Sequence, residues 1–310
     1  MAYSVSIIIP VFNEEENLNL LHEKITDAMS KMSHKYEIIY IDDGSSDGSF
    51  EVLKSLKDKN TKVIKFRKNF GQTAAIYAGI NNSCGDIIIT MDADLQNDPA
   101  DIPNLIETYN KGYDLVSGWR KKRQDNIFKT FPSKIANYLI SKITQTGLND
   151  SGCTLKAYNG EILRKINLFA DHHRFIPSLF LKYTNKIVEI EVEHHPRLHG
   201  KSKYNILRVF RVIIDLIALC YWKKYNNKPM YFWGGLALIF LMISFVAMIL
   251  LLIGVFKSLP VYLNVTYTAI FCISFCQSIL LFAVGLLFEN MVQISLTQNK
   301  GRYYSIEKIL

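Results

Sequence analysis

Over the first 195 or so residues, short β-branched and aliphatic runs alternate with amphipathic stretches of helical period. The strand-like runs are Val5–Pro10, Glu37–Ile41, Val63–Phe66, Asp86–Met91 and Asp114–Gly118, and the helical stretches are Glu14–Met32, Ser49–Lys57, Thr73–Asn82 and Asp101–Tyr109. This alternation predicts an α/β fold, a mostly parallel sheet with helices on both faces. Such sheets bind ligands beyond the carboxyl ends of their strands, so the chemistry is expected just after Pro10, Ile41, Phe66 and Met91.

The last third has a different pattern. Tyr231 to Phe256 and Val265 to Phe288 carry no charge. Each run exceeds the roughly 20 residues that cross a hydrocarbon core. Only a short linker around Lys257-Ser258-Leu259-Pro260 lies between them, which predicts a helical hairpin. Lys223, Lys224 and Lys228 precede it and Lys300 and Arg302 follow it, whereas the turn holds only Lys257, so both termini are expected on the cytoplasmic side. Met1 leads directly into a strand, and no signal peptide is expected. From Tyr204 to Lys224, Arg208, Arg211 and Asp215 share one helical face and aliphatic residues cover the rest, the pattern of an amphipathic helix lying at a membrane interface, with a buried helix packed on the hairpin as the alternative. The expected division is a soluble domain over 1–200, an interfacial region over 201–228, two spans over 229–290 and a cytoplasmic tail over 291–310.

Composition then narrows the partners. The net charge of +8 suits nucleic acid, anionic lipid or a phosphorylated substrate. Between Arg197 and Lys228 eight Lys/Arg face a single acid, Asp215, which puts the basic charge at the membrane and argues against nucleic acid. The five cysteines, at 84, 153, 220, 272 and 276, have no CxxC spacing, so neither a disulfide framework nor a structural zinc site is expected. The pairs His172-His173 and His194-His195 are not expected to chelate, because neighbours on a strand point to opposite faces.

Three acidic segments fall at expected strand ends. Asp92-Ala93-Asp94-Leu95-Gln96 places two carboxylates two residues apart, either as ligands for a hard cation such as Mg²⁺ or Mn²⁺ or as caps of a surface turn. Asp42-Asp43-Gly44-Ser45-Ser46-Asp47 suits a tight turn, with Ser46 or Asp47 capping the next helix, yet two adjacent acids could also accept from a nucleobase or ribose. Pro10-Val11-Phe12-Asn13-Glu14 adds an amide and a carboxylate, while Glu15 and Glu16 suit the positive end of a helix.

Together and in this order, the three segments resemble the family 2 glycosyltransferases with a GT-A fold. The resemblance implies that Pro10, Asn13, Glu14, Asp42, Asp43 and Asp92 hold a nucleotide. It likewise implies that Asp92, Asp94 and Gln96 hold Mg²⁺ or Mn²⁺ on the donor's diphosphate. Trp119-Arg120, Phe131-Pro132-Ser133-Lys134, Asp150-Ser151-Gly152-Cys153-Thr154-Leu155-Lys156-Ala157-Tyr158 and His195-Pro196-Arg197-Leu198-His199-Gly200-Lys201-Ser202-Lys203 are similar to the polyprenyl-phosphate branch. There Arg120, Ser133, Arg197 and Lys203 would face the lipid phosphate, and the cations make physical sense for an anion anchored in a bilayer. The tail departs from that branch, since Lys300-Gly301-Arg302 is followed by Tyr303 rather than proline.

The implied activity is inverting transfer of one sugar from a nucleotide diphosphate sugar, UDP favoured over GDP, to a polyprenyl phosphate, undecaprenyl phosphate favoured. Asp92, Asp94 and Asp150 would carry it at the cytoplasmic face of the inner membrane, in a homo-oligomer, a tetramer in relatives. Asp150 would orient the sugar or its pocket. A processive polysaccharide synthase is the rival enzyme, but none of Trp119, Trp222 and Trp233 follows an arginine as its Gln-x-x-Arg-Trp motif requires. A nucleotide-sugar-binding membrane scaffold is the rival without turnover.

Overall fold

The computed structural model describes residues 4–121, 146–168, 172–196 and 228–298, with positions 218, 221, 224 and 225 between the last two segments. The chain divides into two compact units, Met1–Ile213 and Ile214–Leu310.

In the first unit β1 (Val5–Val11), α1 (Glu15–Ser30), β2 (Tyr36–Asp42), α2 (Ser49–Ser55), β3 (Thr61–Lys65), α3 (Gln72–Asn81) and β4 (Ile87–Thr90) follow one another as strand and helix. A 3-10 turn (Pro99–Asp101), α4 (Ile102–Asn110), β5 (Leu115–Trp119), β6 (Lys156–Asn159), α5 (Gly160–Arg164), a second 3-10 turn (His172–Phe175), α6 (Ile176–Phe180) and β7 (Ile187–Glu191) complete it. The sheet order is β3-β2-β1-β4-β6-β5-β7. The first four strands pair in parallel, β6 runs antiparallel to both β4 and β5, and β7 is parallel to β5.

β1 is apolar except for Ser6 because both its faces are covered. Ile7 and Ile9 join Leu18, Leu21 and Ile25 of α1 in one core, and Ile8 joins Ala75 and Ile80 of α3 in the other. Side chains alternate across a strand, so one continuous aliphatic run feeds two layers. The five strands and four helices expected in this unit are all present, with ends displaced by no more than two residues. Three points differ from the sequence reading. β6 and β7 are additional strands. His172-His173 opens a 3-10 turn instead of lying on a strand, because Pro177 and the short helix α6 that holds it follow at once. Asp42 is the last residue of β2, not the first beyond it.

In the second unit α7 (Pro229–Phe256) and α8 (Val261–Gln298) are long and apolar enough to cross a membrane. They meet through small residues: Ala237, Ser244 and Ala247 of α7 and Ser274 and Ser278 of α8 are buried. Ser278 Oγ donates to the Ala237 carbonyl at 2.9 Å, and Trp233 stacks on Phe288 with ring centres 5.8 Å apart. Outward side chains such as Leu238 (62% exposed), Phe245 (58%) and Ile273 (70%) are the reverse of a soluble core helix. Of the region 204–224 expected as an interfacial helix, positions 218, 221 and 224 are described and are helical, and the rest lies outside the described residues, as does the tail from 299.

Candidate active site

The carboxyl ends of the parallel strands are tied into one surface by side chain to backbone hydrogen bonds. Val11 pairs with Asp42, and the Asp43 N–H donates to the Val11 carbonyl at 2.8 Å, so the loops after β1 and β2 leave the sheet together. Asn13, at φ 57°, accepts on Oδ1 from the Ser46 N–H at 2.8 Å, and its own N–H donates to Ser45 Oγ at 3.0 Å. Asn tolerates this left-handed conformation better than most residues. Gly44 sits at φ 70°, and a Cβ there would stand 2.4 Å from the Lys68 carbonyl carbon, so the β2 loop packs backbone to backbone on the loop after β3. Asp43 closes that contact: its carboxylate accepts from the Phe70 N–H at 2.7 Å and the Gly71 N–H at 2.9 Å. Burial nevertheless pushes the Asp43 carboxyl above the usual range, against the pull of those two donors.

Asp42 is fully buried. Its Oδ1 accepts from the Ser45 N–H at 3.0 Å, but Oδ2 has no donor among the described residues. A buried acceptor left unmet costs about 1–3 kcal/mol, a cost that a ligand N–H or O–H at this position would relieve. The other acids of these loops are committed differently from the sequence reading. Glu15 Oε2 accepts from the Gly48 N–H at 2.9 Å, so it staples the β1 and β2 loops rather than only facing the helix end. The residue before α2 is Gly48, and Asp47 takes the Ser49 N–H at 3.0 Å; Ser46 does not cap. Glu14 Oε2 accepts from Asn17 Nδ2 at 2.6 Å. Pro10, half-buried, pairs with Ile41 at the end of β1.

After β4, Asp92 is half-buried and accepts on Oδ1 from Gln72 Nε2 at 2.8 Å, which joins the β3 and β4 loops. Asp94 is 6% exposed and takes the Gln96 N–H at 3.2 Å, the turn-capping role that its spacing also allowed. Between them and Gln96, Leu95 is held at φ 58°, a strained position for a side chain of its size. Among the described residues no three His, Cys, Asp or Glu side chains converge as a cation cage. Two carboxylates and an amide oxygen nevertheless fit a magnesium-type ion, which keeps few protein ligands and fills its shell from substrate phosphates.

On the antiparallel side, Asp150 receives Arg120 as a two-pronged pair, Nε to Oδ2 at 2.7 Å and Nη2 to Oδ1 at 3.0 Å, with side chains only 12% and 4% exposed. Burial alone would favour loss of the guanidinium proton, but the Asp150 carboxylate outweighs it, and the charge of Asp92 adds in the same direction. Arg120 and Asp150, separate candidates in the sequence, are thus one unit. Lys156 Nζ, buried on β6, donates to the carbonyls of Ser151 at 3.2 Å and of Cys153. Burial drives the Lys156 amine below its ordinary value and the Cys153 thiol above its own. Glu189 of β7 accepts from the Asn149 N–H, Asn149 Nδ2 and the Asp150 N–H at 2.8 to 2.9 Å. Gln72, Lys156 and Glu189 had no assigned role in the sequence. Lys156 in an otherwise apolar run was the one available signal. Ser133, Arg197 and Lys203 lie outside the described residues.

The sequence profile described as Glycosyl transferase family 2 matches residues 6–167, more than half of the chain. The chain belongs to glycosyl transferase family 2. A dodecaprenyl-phosphate galacturonate synthase of Rhizobium johnstonii is 42% identical over 241 residues, 76% of this chain and 71% of that protein. An undecaprenyl-phosphate 4-deoxy-4-formamido-L-arabinose transferase of Photorhabdus laumondii is 41% identical over 217 residues, 69% of this chain and 67% of that one. The fold is GT-A. Mannosyl-3-phosphoglycerate synthase of Rubrobacter xylanophilus superposes with a TM-score of 0.58 at 14% identity, over 72% of this chain and 75% of its own. Glucosyl-3-phosphoglycerate synthase of Mycobacterium tuberculosis, solved with Mn²⁺, UDP and its product, gives 0.56 at 16% identity, over 70% and 80%. Family membership makes this glycosyltransferase an enzyme, and Asp92 and Asp94 stand in its matched region.

Proposed function

We propose that this glycosyltransferase moves a single sugar, with inversion, from a nucleoside diphosphate sugar to a polyprenyl phosphate at the cytoplasmic face of a membrane. UDP is the favoured nucleotide and undecaprenyl phosphate the favoured acceptor. The observation that carries the reading is the tie between two charge systems: Asn97, next to the Asp92–Gln96 loop suited to a diphosphate-bound cation, donates to Thr154 Oγ1 at 2.9 Å, in the segment that follows the buried Arg120–Asp150 pair.

The unmet Asp42 Oδ2 is suited to a base or ribose donor, and Asn13, Glu14 and Asp43 shape the loops around it. Mg²⁺ or Mn²⁺ bound by Asp92, Asp94 and Gln96 would neutralise charge on the departing diphosphate. A phosphate oxygen is already an anionic nucleophile, so no base is needed to activate the acceptor, and positioning and electrostatics carry the rate. Arg120, Ser133, Arg197 and Lys203 are assigned to the acceptor phosphate, with Asp150 orienting Arg120 and the sugar pocket.

The relatives' names support this acceptor over a growing polymer. Incubation with labelled nucleotide sugars and undecaprenyl phosphate, followed by solvent extraction, tests it: a lipid-phosphate sugar is expected, while polymer or no product refutes it. The two helices of the second unit are assigned as spans with both termini cytoplasmic. Cysteine placed at Ser258 should then label from outside intact cells, and labelling only after permeabilisation would refute that orientation.

A further inference from the structure

Asn97, one residue past Gln96, is buried and faces two ways. Its Nδ2 donates to Thr154 Oγ1 at 2.9 Å and its Oδ1 accepts from Cys153 Sγ at 3.8 Å, which ties the metal-candidate loop to the segment after Asp150. Its backbone forms an isolated antiparallel bridge with His194. Around that bridge the His195 N–H donates to the Gln96 carbonyl at 2.9 Å, and His195 Nε2 meets Asp98 Oδ2 at 2.8 Å. Beside it the Glu193 N–H donates to Asp101 Oδ2 at 2.8 Å, and Lys24 Nζ stands 3.9 Å from the same Asp98 oxygen. Residues 193–195 are thus stitched to the chain that carries Asp94 and Gln96.

β7 ends at Glu191, so the ladder no longer holds the chain at His195. The bridge, one backbone hydrogen bond and the imidazole–carboxylate pair hold it instead. Two residues further along the sequence stands Arg197, and Lys203 follows. Whatever fixes His195 fixes the point from which that basic stretch starts, measured from the donor-side loop.

We infer that Asp98 and His195 form a latch whose role is to register the acceptor-binding stretch against the metal-candidate loop. They are positioning residues, since neither is assigned to touch a reacting atom. The inference rests on the proposed function, because it presumes that Arg197 and Lys203 meet the lipid phosphate.

The test uses the full chain in detergent as His195→Ala, Asp98→Ala, the double variant and His195→Gln. Acceptor and donor kinetics, UDP–Mn²⁺ binding by thermal shift and unfolding temperature are read for each. A partly exposed, charge-assisted hydrogen bond corresponds to about a fivefold effect, so each alanine variant should raise the acceptor KM about fivefold, with UDP–Mn²⁺ binding unchanged. Partners in one interaction are not additive, so the double variant should be no worse than either single. His195→Gln, which keeps a donor toward Asp98, should restore most of the loss.

A lowered unfolding temperature with unchanged acceptor KM would reduce the pair to a structural role and overturn the inference. Additive losses in the double variant would do the same. Should the alanine variants fail to fold, His195→Phe, which keeps a ring but offers Asp98 no donor, decides through the same KM: a rise supports the latch and an unchanged value overturns it. Wild-type protein that makes no lipid-linked sugar overturns the proposed function and this inference with it, whereas an active wild type with unaffected variants overturns the latch alone.

Discussion

The two halves of the sheet hold their chemistry in opposite ways. In β3-β2-β1-β4 every pairing is parallel, and the groups suited to ligand binding begin where the strands stop, at Asp42, Asp43, Asp92 and Asp94. In β6-β5-β7 the pairing is mixed, and ionisable groups lie on or between the strands: Lys156 is buried on β6 itself, the Arg120–Asp150 pair is almost fully covered, and Glu189 is half-buried on β7. The first arrangement separates the core from the site. In the second, the same buried charges serve both, so altering one disturbs stability and chemistry together.

The largest effects should follow that division. Asp92→Asn or Asp94→Asn keeps shape and some acceptor capacity but removes an anionic ligand, and transfer should fall by about 100-fold or more. Stability should change by no more than about 0.5–1 kcal/mol, since no buried charge is left unpaired. Asp150→Ala should instead lose activity and stability at once. It leaves the Arg120 guanidinium buried without its partner, a change of about 3–5 kcal/mol for a pair this covered. Unfolding curves and transfer rates measured on the same samples give both quantities. An Asp150→Ala protein as stable as wild type would break the comparison, and so would an Asp92→Asn protein that unfolds early.

The same division explains what the sequence made legible. β1, β2 and β4 read clearly because burial on both faces writes itself as adjacent isoleucines, Ile7–Ile9, Ile38-Ile39 and Ile87–Ile89, and the motif acids lie at or just beyond the ends of those strands. β6 and β7 did not read. Lys156-Ala157-Tyr158-Asn159 has a cation in place of an apolar residue, and Ile187–Glu191 has only half-buried or exposed positions at the sheet's edge. The donor-side candidates Asn13, Asp42, Asp43, Asp92 and Asp94 are gathered by the topology as expected of strand-end residues. The partnership of Arg120 with Asp150 was invisible, because thirty positions separate them and no periodic pattern links a loop to a strand end.

Gly44 gives a sharper test within the donor half, as a backbone position where the separation should fail. An alanine there must adopt a left-handed φ, which costs roughly 1–2 kcal/mol, and its Cβ would collide with the Lys68 backbone. The displaced loop contains Phe70 and Gly71, whose N–H groups hold Asp43. Gly44→Ala should therefore weaken nucleotide binding by about tenfold through that shift alone, the fold-change of about 1.4 kcal/mol. UDP titration by calorimetry reads it, and unchanged affinity would show that the β2 loop adjusts independently of the β3 loop.

The smallest expected effect lies at the far edge of the mixed half. Glu189 is on β7, away from the strand ends that carry the donor-side acids, yet its carboxylate accepts from Asn149 and from the Asp150 N–H at 2.8 Å. If the buried charges of this half act as one network, a change at Glu189 should reach the Arg120–Asp150 pair through the backbone it holds. Glu189→Gln keeps one oxygen but turns an N–H₂ toward donors, and Glu189→Ala removes both acceptors. Turnover should fall in the order Gln then Ala, by about twofold and about fivefold, in keeping with hydrogen bonds that are only partly shielded from water. UDP–Mn²⁺ affinity should stay at the wild-type value in both variants, because the donor-side loops are held by Asp43, Asn13 and Gln72 and not by β7. Steady-state kinetics at saturating donor separates the two quantities. Equal loss of donor affinity and turnover would mean that the halves are coupled through the whole sheet, and the separation drawn between them would fail.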